Sequence, residues 1–289
     1  MLLTPSAPSD SELQTTVQPT PQTTAQKTPQ PTPISKMQPI DPALQQALKK
    51  AINYLKQTQD PMGLLMINVL YRQFNITEFN DSLQRYDQVL AANPEPINRI
   101  FRRIADYNAS AVLHEDFNSV TDQLDRITVP ALYSDRMALP DDYLSQLTDA
   151  MYSGAIYAQN RINSGCYLLT HVLLATIWMQ NNHCSLQLPE DFKSALYQDN
   201  AALIGDGSHV DDIELEAAAF LYQAGQGNMV SDAFVKNVIA AQFTDGGWAI
   251  SQDTPGNTNW HPSILALMIL LNVEYPDASY PPMIAPAPS

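Results

Sequence analysis

Three short stretches carry the residue types that do chemistry, each at or near the start of an apolar, helix-spaced run. They are Thr170 and His171 in YLLTHVLLA, then His209, Asp211, Asp212, Glu214 and Glu216 in GSHVDDIELEAAAF, then Asn259, Trp260 and His261 in TNWHPSILAL. Imidazole and carboxylate groups ligate catalytic metal ions. A carboxyl group among other carboxylates has a raised pKa and can deliver a proton. Two chemistries are therefore open: a metal site, and an acid site built from Asp211, Asp212 and Glu214. Each stretch also has a plain structural reading. His171 among apolar residues fits a hydrogen-bonded core histidine, and Asp211 with Glu214 forms D-x-x-E, a capping box. Pro262 suits a first helical position and so puts His261 at the cap, where histidine is a poor choice. A further role is therefore expected of His261.

Helices must position these residues, because period-two patterns are scarce and helical ones recur. DPALQQALKKAINYLKQTQ has Asp41 as a cap, Pro42 behind it and a stripe of Leu44, Leu48, Ile52 and Leu55 at every third or fourth residue. MGLLMINVLYRQF follows after almost no loop and is apolar nearly all round. The same alternation continues: 165–180 is apolar on all faces, 189–203 amphipathic, 211–225 mostly apolar after an acidic start, 231–243 amphipathic and 261–271 apolar all round. Enclosed inner helices and half-wet outer ones, in two layers, produce that order. The middle, about 79–160, also reads as helices, broken at NPEP and ALPDD, and 129–144 reads as a Pro-punctuated loop over one end, where Tyr133, Asp135 and Arg136 are in reach of a ligand but fit ordinary loop packing better.

At the end of the 231–243 run, AAQFTDGGWAIS holds Gln242, Gly246 and Trp248 as Q-x3-G-x-W; Gln59, Gly63 and Leu65 form a degraded copy after AINYLKQT. Glycine there takes positive φ and stops the helix, while the glutamine amide and a large side chain pin the turn. These stretches resemble the QW repeat of the terpenoid cyclase and protein prenyltransferase superfamily, over about 41–75 and 165–272. The resemblance implies an all-α fold, an α/α toroid of alternating inner and outer helices, as one domain over 41–289. It also implies that the inner helices start around a common cavity.

In protein prenyltransferases a zinc histidine opens an inner helix, and His261 resembles it. Matching FLYQAG to the end of the preceding inner helix in that family places Glu216 on the zinc aspartate and Ala218 on the zinc cysteine. The absent thiolate argues against prenyl transfer but leaves a metal open. With His171 as third ligand, the resemblance implies a His171, Glu216 and His261 zinc set with an open position for water or substrate. A rival match is the D-x-D-D acid motif of class II terpene cyclases, against which Asp211 and Asp212 fit and His209 departs. The chain has one helical domain where triterpene cyclases use two, and only 8% aromatic residues to stabilise carbocations.

Composition bounds the partners. The net charge of −15 falls on the folded part, since the first 40 residues balance Asp10 and Glu12 against Lys27 and Lys36. Such a surface repels nucleic acid and anionic membranes. Residues 1–40, rich in Pro, Thr and Gln, bury too little to order themselves and read as a disordered tether. MLL is too short for a signal sequence, and ILALMILL, the longest apolar run, is too short for a transmembrane segment. The compartment stays open, and the tether suits an envelope-associated or secreted protein if the start is truncated. Cys166 and Cys184 neither demand nor exclude a disulfide, and His183 with Cys184 in NNHC reads as a helix C-cap. Three functions follow as expectations. One is a metal-dependent enzyme with its site at the mouth of the barrel. A second is a non-catalytic toroid holding a small molecule, peptide, lipid or protein in its central cleft. The third is an acid-type cyclase or glycan-active enzyme using the Asp211, Asp212, Glu214 and Glu216 cluster.

Overall fold

A computed structural model describes residues 41–109, 114–159, 163–252, 256–276 and 280–287. The proposed tether, 1–40, lies outside them. The described chain is mostly helical: α1 (Pro42–Leu55), α2 (Pro61–Phe74), α3 (Ser82–Ala92), α4 (Pro96–Phe101), α5 (His114–Phe117), α6 (Gln123–Leu132), α7 (Tyr143–Gln159), α8 (Asn163–Asn181), α9 (Glu190–Ile204), α10 (Asp212–Gln223), α11 (Asp232–Ala240) and α12 (Trp260–Glu274). One short antiparallel pair, β1 (Trp248–Ala249) with β2 (Thr258–Asn259), precedes α12.

Asp41 caps α1 as expected, accepting from the Ala43 N–H at 2.9 Å, and Leu44, Leu48 and Leu55 bury the stripe with Ala47 and Ala51. Asp60 caps α2 in the same way, and Gly63 to Leu70 of that helix are all buried. α12 is enclosed from Pro262 to Asn272, whereas α9 buries only Phe192, Leu196, Asn200 and Ile204, one residue per turn. Buried helices neighbour one another in the order α2, α12, α10, α8, α6; α1 and α11 back α12, α9 backs α8 and α10, and α7 backs α8. At one end Gly63 in the first turn of α2 meets the indole of Trp260. At the other end Gln73 of α2 hydrogen-bonds Gln223 of α10 at 2.9 Å. α2, α10 and α12 therefore run in the same direction, and α8 joins them through contacts described below.

Trp248 closes the corner between α11 and α12. It is 1% exposed, its indole N–H donates to the Val238 carbonyl at 2.8 Å, and its backbone N–H donates to Ser263 Oγ at 2.8 Å. Gln242 donates to the carbonyls of Gly246 (3.0 Å) and Ala47 (2.9 Å), so it ties the turn to α1. Gly246 has φ +98°, and a Cβ there would run into the Lys50 carbonyl. The tryptophan follows the glycines because α1 passes directly over the turn and leaves room only for bare backbone, while the adjacent gap between α11 and α12 takes a large plug.

Several expectations change. The degraded copy makes no such corner: Gly63 lies inside the first turn of α2, because Asp60 and Pro61 start that helix first. α11 stops at Ala240, so Gln242 and Phe243 belong to the turn. The loop expected over 129–144 is shorter at both ends: Val129 to Leu132 finish α6 around Pro130 and Tyr143 begins α7, which leaves 133–142 as the loop. Tyr133 is buried with its hydroxyl on the Ile100 carbonyl (2.8 Å), and Asp135 pairs with Arg103 (2.9 Å), so both serve packing. His183 ends α8 as a left-handed residue with φ +52° and is exposed, the cap read from NNHC. No disulfide joins Cys166 and Cys184, which lie near opposite ends of α8. No described helix is long and apolar enough to cross a membrane.

Candidate metal centre

The site lies where α8, α10 and α12 begin. On α8, Tyr167, Thr170 and His171 are spaced three and four residues apart and share a face; on α10, Asp212 and Glu216 are one turn apart. α12 contributes His261. The cap of α12 is not His261 but Asn259, whose side chain accepts from the His261 N–H at 2.9 Å. The β1–β2 pair brings the chain into α12 extended, so the helix opens two residues earlier than the proline implied, and His261 sits inside its first turn.

His261 lies between two carboxylates. Its Nδ1 is 2.7 Å from Asp212 Oδ1, and its Nε2 is 3.3 Å from Glu216 Oε2. Asp212 takes a second bond from the Tyr167 hydroxyl on its other oxygen, at 2.5 Å. Glu216 is 1% exposed; its Oε1 accepts from Thr170 and lies 3.3 Å from His171 Nδ1. That nitrogen is also 2.9 Å from the Tyr167 carbonyl. The result is one continuous polar chain across three helices in an otherwise apolar core. Burial alone pushes the Glu216 carboxyl up, but His171, His261 and Thr170 outweigh it and hold it below the usual carboxylate range. Burial alone pushes His261 down, but Asp212, Glu216 and the nearby Asp60 outweigh it and raise its affinity for a proton. His261 retains 34% of its side-chain exposure, so the cluster opens to solvent on the histidine side.

One ligand atom each from Asp212, Glu216 and His261 lies within 4.8 Å of the others, a group that can hold a metal ion either with all three as ligands or, where Nε2 of His261 is the ligand atom, with Asp212 orienting the ring. The spacing fits the chemistry. Two ligands of a tetrahedral zinc ion at about 2.0–2.1 Å stand about 3.3 Å apart, and Nε2 of His261 and Oε2 of Glu216 are 3.3 Å apart. The Asp212 bond to Nδ1 is the kind of carboxylate contact that orients a ligating histidine so that Nε2 faces the ion.

No protein-family model, curated protein or solved structure matches this chain.

Of the residues marked from the sequence, Glu216 and His261 meet directly, and His171 meets Glu216 but stands outside the compact three-ligand group. The acid set has divided partners. Asp211 is the N-cap of α10 but makes no capping bond with its side chain. Its carboxylate instead takes the Gln252 N–H at 2.7 Å, because the loop after β1 crosses there. Glu214 is pushed up by burial and has one oxygen buried without a partner. Asp212 belongs to the histidine cluster. His209 is exposed and outside it. Tyr167 and Asp60 were missed. Tyr167 was legible as the residue one turn before His171, whereas Asp60 reads from the sequence only as a helix cap.

Proposed function

We propose that this chain is a divergent α/α toroid of the terpenoid cyclase and prenyltransferase type, and that it is a metal-dependent enzyme. The alternation of enclosed and half-wet helices supports the toroid, as does the Gln242, Gly246 and Trp248 corner. The observation that carries the enzyme reading is the meeting of Asp212, Glu216 and His261 at the starts of α10 and α12, buried on two sides and open on one. Glu216 and Nε2 of His261 would hold the ion, with Asp212 behind the ring and His171 near enough to join. A zinc ion there would supply Lewis acidity, activating a bound water or polarising a substrate carbonyl. Ala218, where a prenyltransferase has its thiolate, directs the reading away from prenyl transfer and toward hydrolytic or group-transfer chemistry.

A second reading rests on the same ring. Both nitrogens of His261 face carboxylates, which is also how a protein holds an imidazolium without any metal. In that case the toroid is a binding module. Metal content decides between the two. Tag-free protein purified without chelator is expected to carry about one zinc or similar ion per chain, and His261→Ala to lose it with its helical content intact. No metal in the wild type, even after incubation with zinc, removes the enzyme reading and leaves the binding module.

A further inference from the structure

The opposite ends of the same helices, about 18 Å away along α10 at 1.5 Å per residue, hold a different arrangement. The C-terminal strap, 280–287, crosses them with no helix or strand of its own and bends at Met283 and Ile284. It is held through its backbone. Gln73 donates to the Pro281 carbonyl at 3.0 Å and Arg72 to that of Pro282 at 3.1 Å, while Arg103 donates to that of Ala285 at 2.9 Å. The Met283 N–H donates to Asn181 Oδ1 at 2.9 Å. Met283 and Ile284 are buried beneath. The protein thus already binds one proline-containing peptide strand in cis, chiefly by amide and guanidinium groups on its carbonyls.

Beside the strap a cleft of about 700 Å³ remains, walled on one side by Tyr280 to Met283. Its other walls carry the carboxamides of Gln73, Asn181, Gln223, Asn228 and Asn272, with Tyr222. Among the described residues, no Asp, Glu, Lys, Arg or His lines it, in a chain whose net charge is −15. A charged ligand would lose its water there and gain no counter-charge. A neutral ligand with both acceptors and donors gains most, from the carboxamide groups not already engaged with one another, with the strap or with the Met268 carbonyl. We propose that this cleft binds a second extended, proline-containing peptide strand, laid beside the strap and read through its backbone. Such a strand is already extended when free, so it loses little entropy on docking, and its proline rings pack on tyrosine faces.

The test uses the full chain and a fluorescent synthetic decapeptide, YPPMIAPAPS, which copies residues 280–289. Saturable binding by anisotropy is expected. Asn228 is exposed on the short 3-10 turn Gly227–Met229, so Asn228→Trp fills the cleft without touching the core. That variant is expected to unfold at the wild-type temperature and to bind the peptide at least tenfold more weakly. Absence of saturable binding overturns the proposal. Equal binding by N228W also overturns it, because a peptide that merely exchanges with the strap does not need the cleft. Saturable binding of maltohexaose in place of the peptide makes the cleft a sugar site and overturns the assignment of ligand class.

Discussion

Nδ1 of His261 and Oδ1 of Asp212 stand 2.7 Å apart across 49 residues of sequence, and the same aspartate receives the Tyr167 hydroxyl on its other oxygen. The ring is thereby fixed by a carboxylate that is itself fixed. If the site holds zinc, Asp212→Asn is expected to keep the fold and weaken zinc binding by about 10–100-fold, the usual cost of losing such an orienting partner. Tyr167→Phe is expected to weaken it less. Competition titration with a chromophoric chelator measures both, and unchanged affinity in D212N would show that the aspartate does not orient the ring.

Glu216 is the group that the fold can least spare. It is enclosed and faces two histidines and a hydroxyl. Removing one partner from a buried ionic group costs about 3–5 kcal/mol, because the others stay behind uncompensated. Glu216→Ala is expected to lose stability on that scale in urea unfolding. Glu214→Ala, whose carboxyl pairs with neither histidine, is expected to lose clearly less. Equal losses would contradict the assignment of Glu216 as the hub.

The corner at Trp248 is a packing element, and its substitution should act on stability. Trp248→Ala is expected to cost about 3–5 kcal/mol, typical of emptying a core aromatic site. Gly246→Ala forces a side chain onto φ +98° and into the Lys50 carbonyl. It is expected to destabilise by more than the roughly 1 kcal/mol of a simple glycine replacement in a helix. Thermal unfolding of the two variants checks this, and wild-type melting in G246A would mean that α1 does not press on the turn.

The two cysteines should differ in reactivity. Cys166 is 3% exposed and burial pushes its thiol up, so little thiolate is present near neutral pH. Cys184 lies just past the other end of α8 and is half-buried. Mass spectrometry after brief iodoacetamide treatment is expected to show one added group in the native protein and two in urea. Two groups added natively at equal rates would show that the start of α8 opens.

The helices were legible because their signals are local. Asp41 with Pro42, the Leu44 to Leu55 stripe, and the unbroken apolar run of α12 need no distant partner to be recognised. The Gln242, Gly246 and Trp248 spacing was legible for the same reason. Its second copy misled because Gln59, Gly63 and Leu65 match in spacing while Asp60 and Pro61, inside that spacing, start a helix. Local rules favoured Asp211 as a capping-box residue, but the loop after β1 arrives from 41 residues away and takes its carboxylate. The residue types of the candidate metal centre were visible, since histidines and acids opening apolar helices are costly to enclose without partners. The pairing of those residues was not visible. Which ring nitrogen meets which carboxylate, that Tyr167 locks Asp212, and that His171 stands aside depend on how α8, α10 and α12 align side by side. The C-terminal strap shows the same division. Its prolines announce an extended chain, but only tertiary packing brings Arg72, Gln73, Arg103 and Asn181 to its backbone, because those contacts span 102–211 residues and carry no local signature.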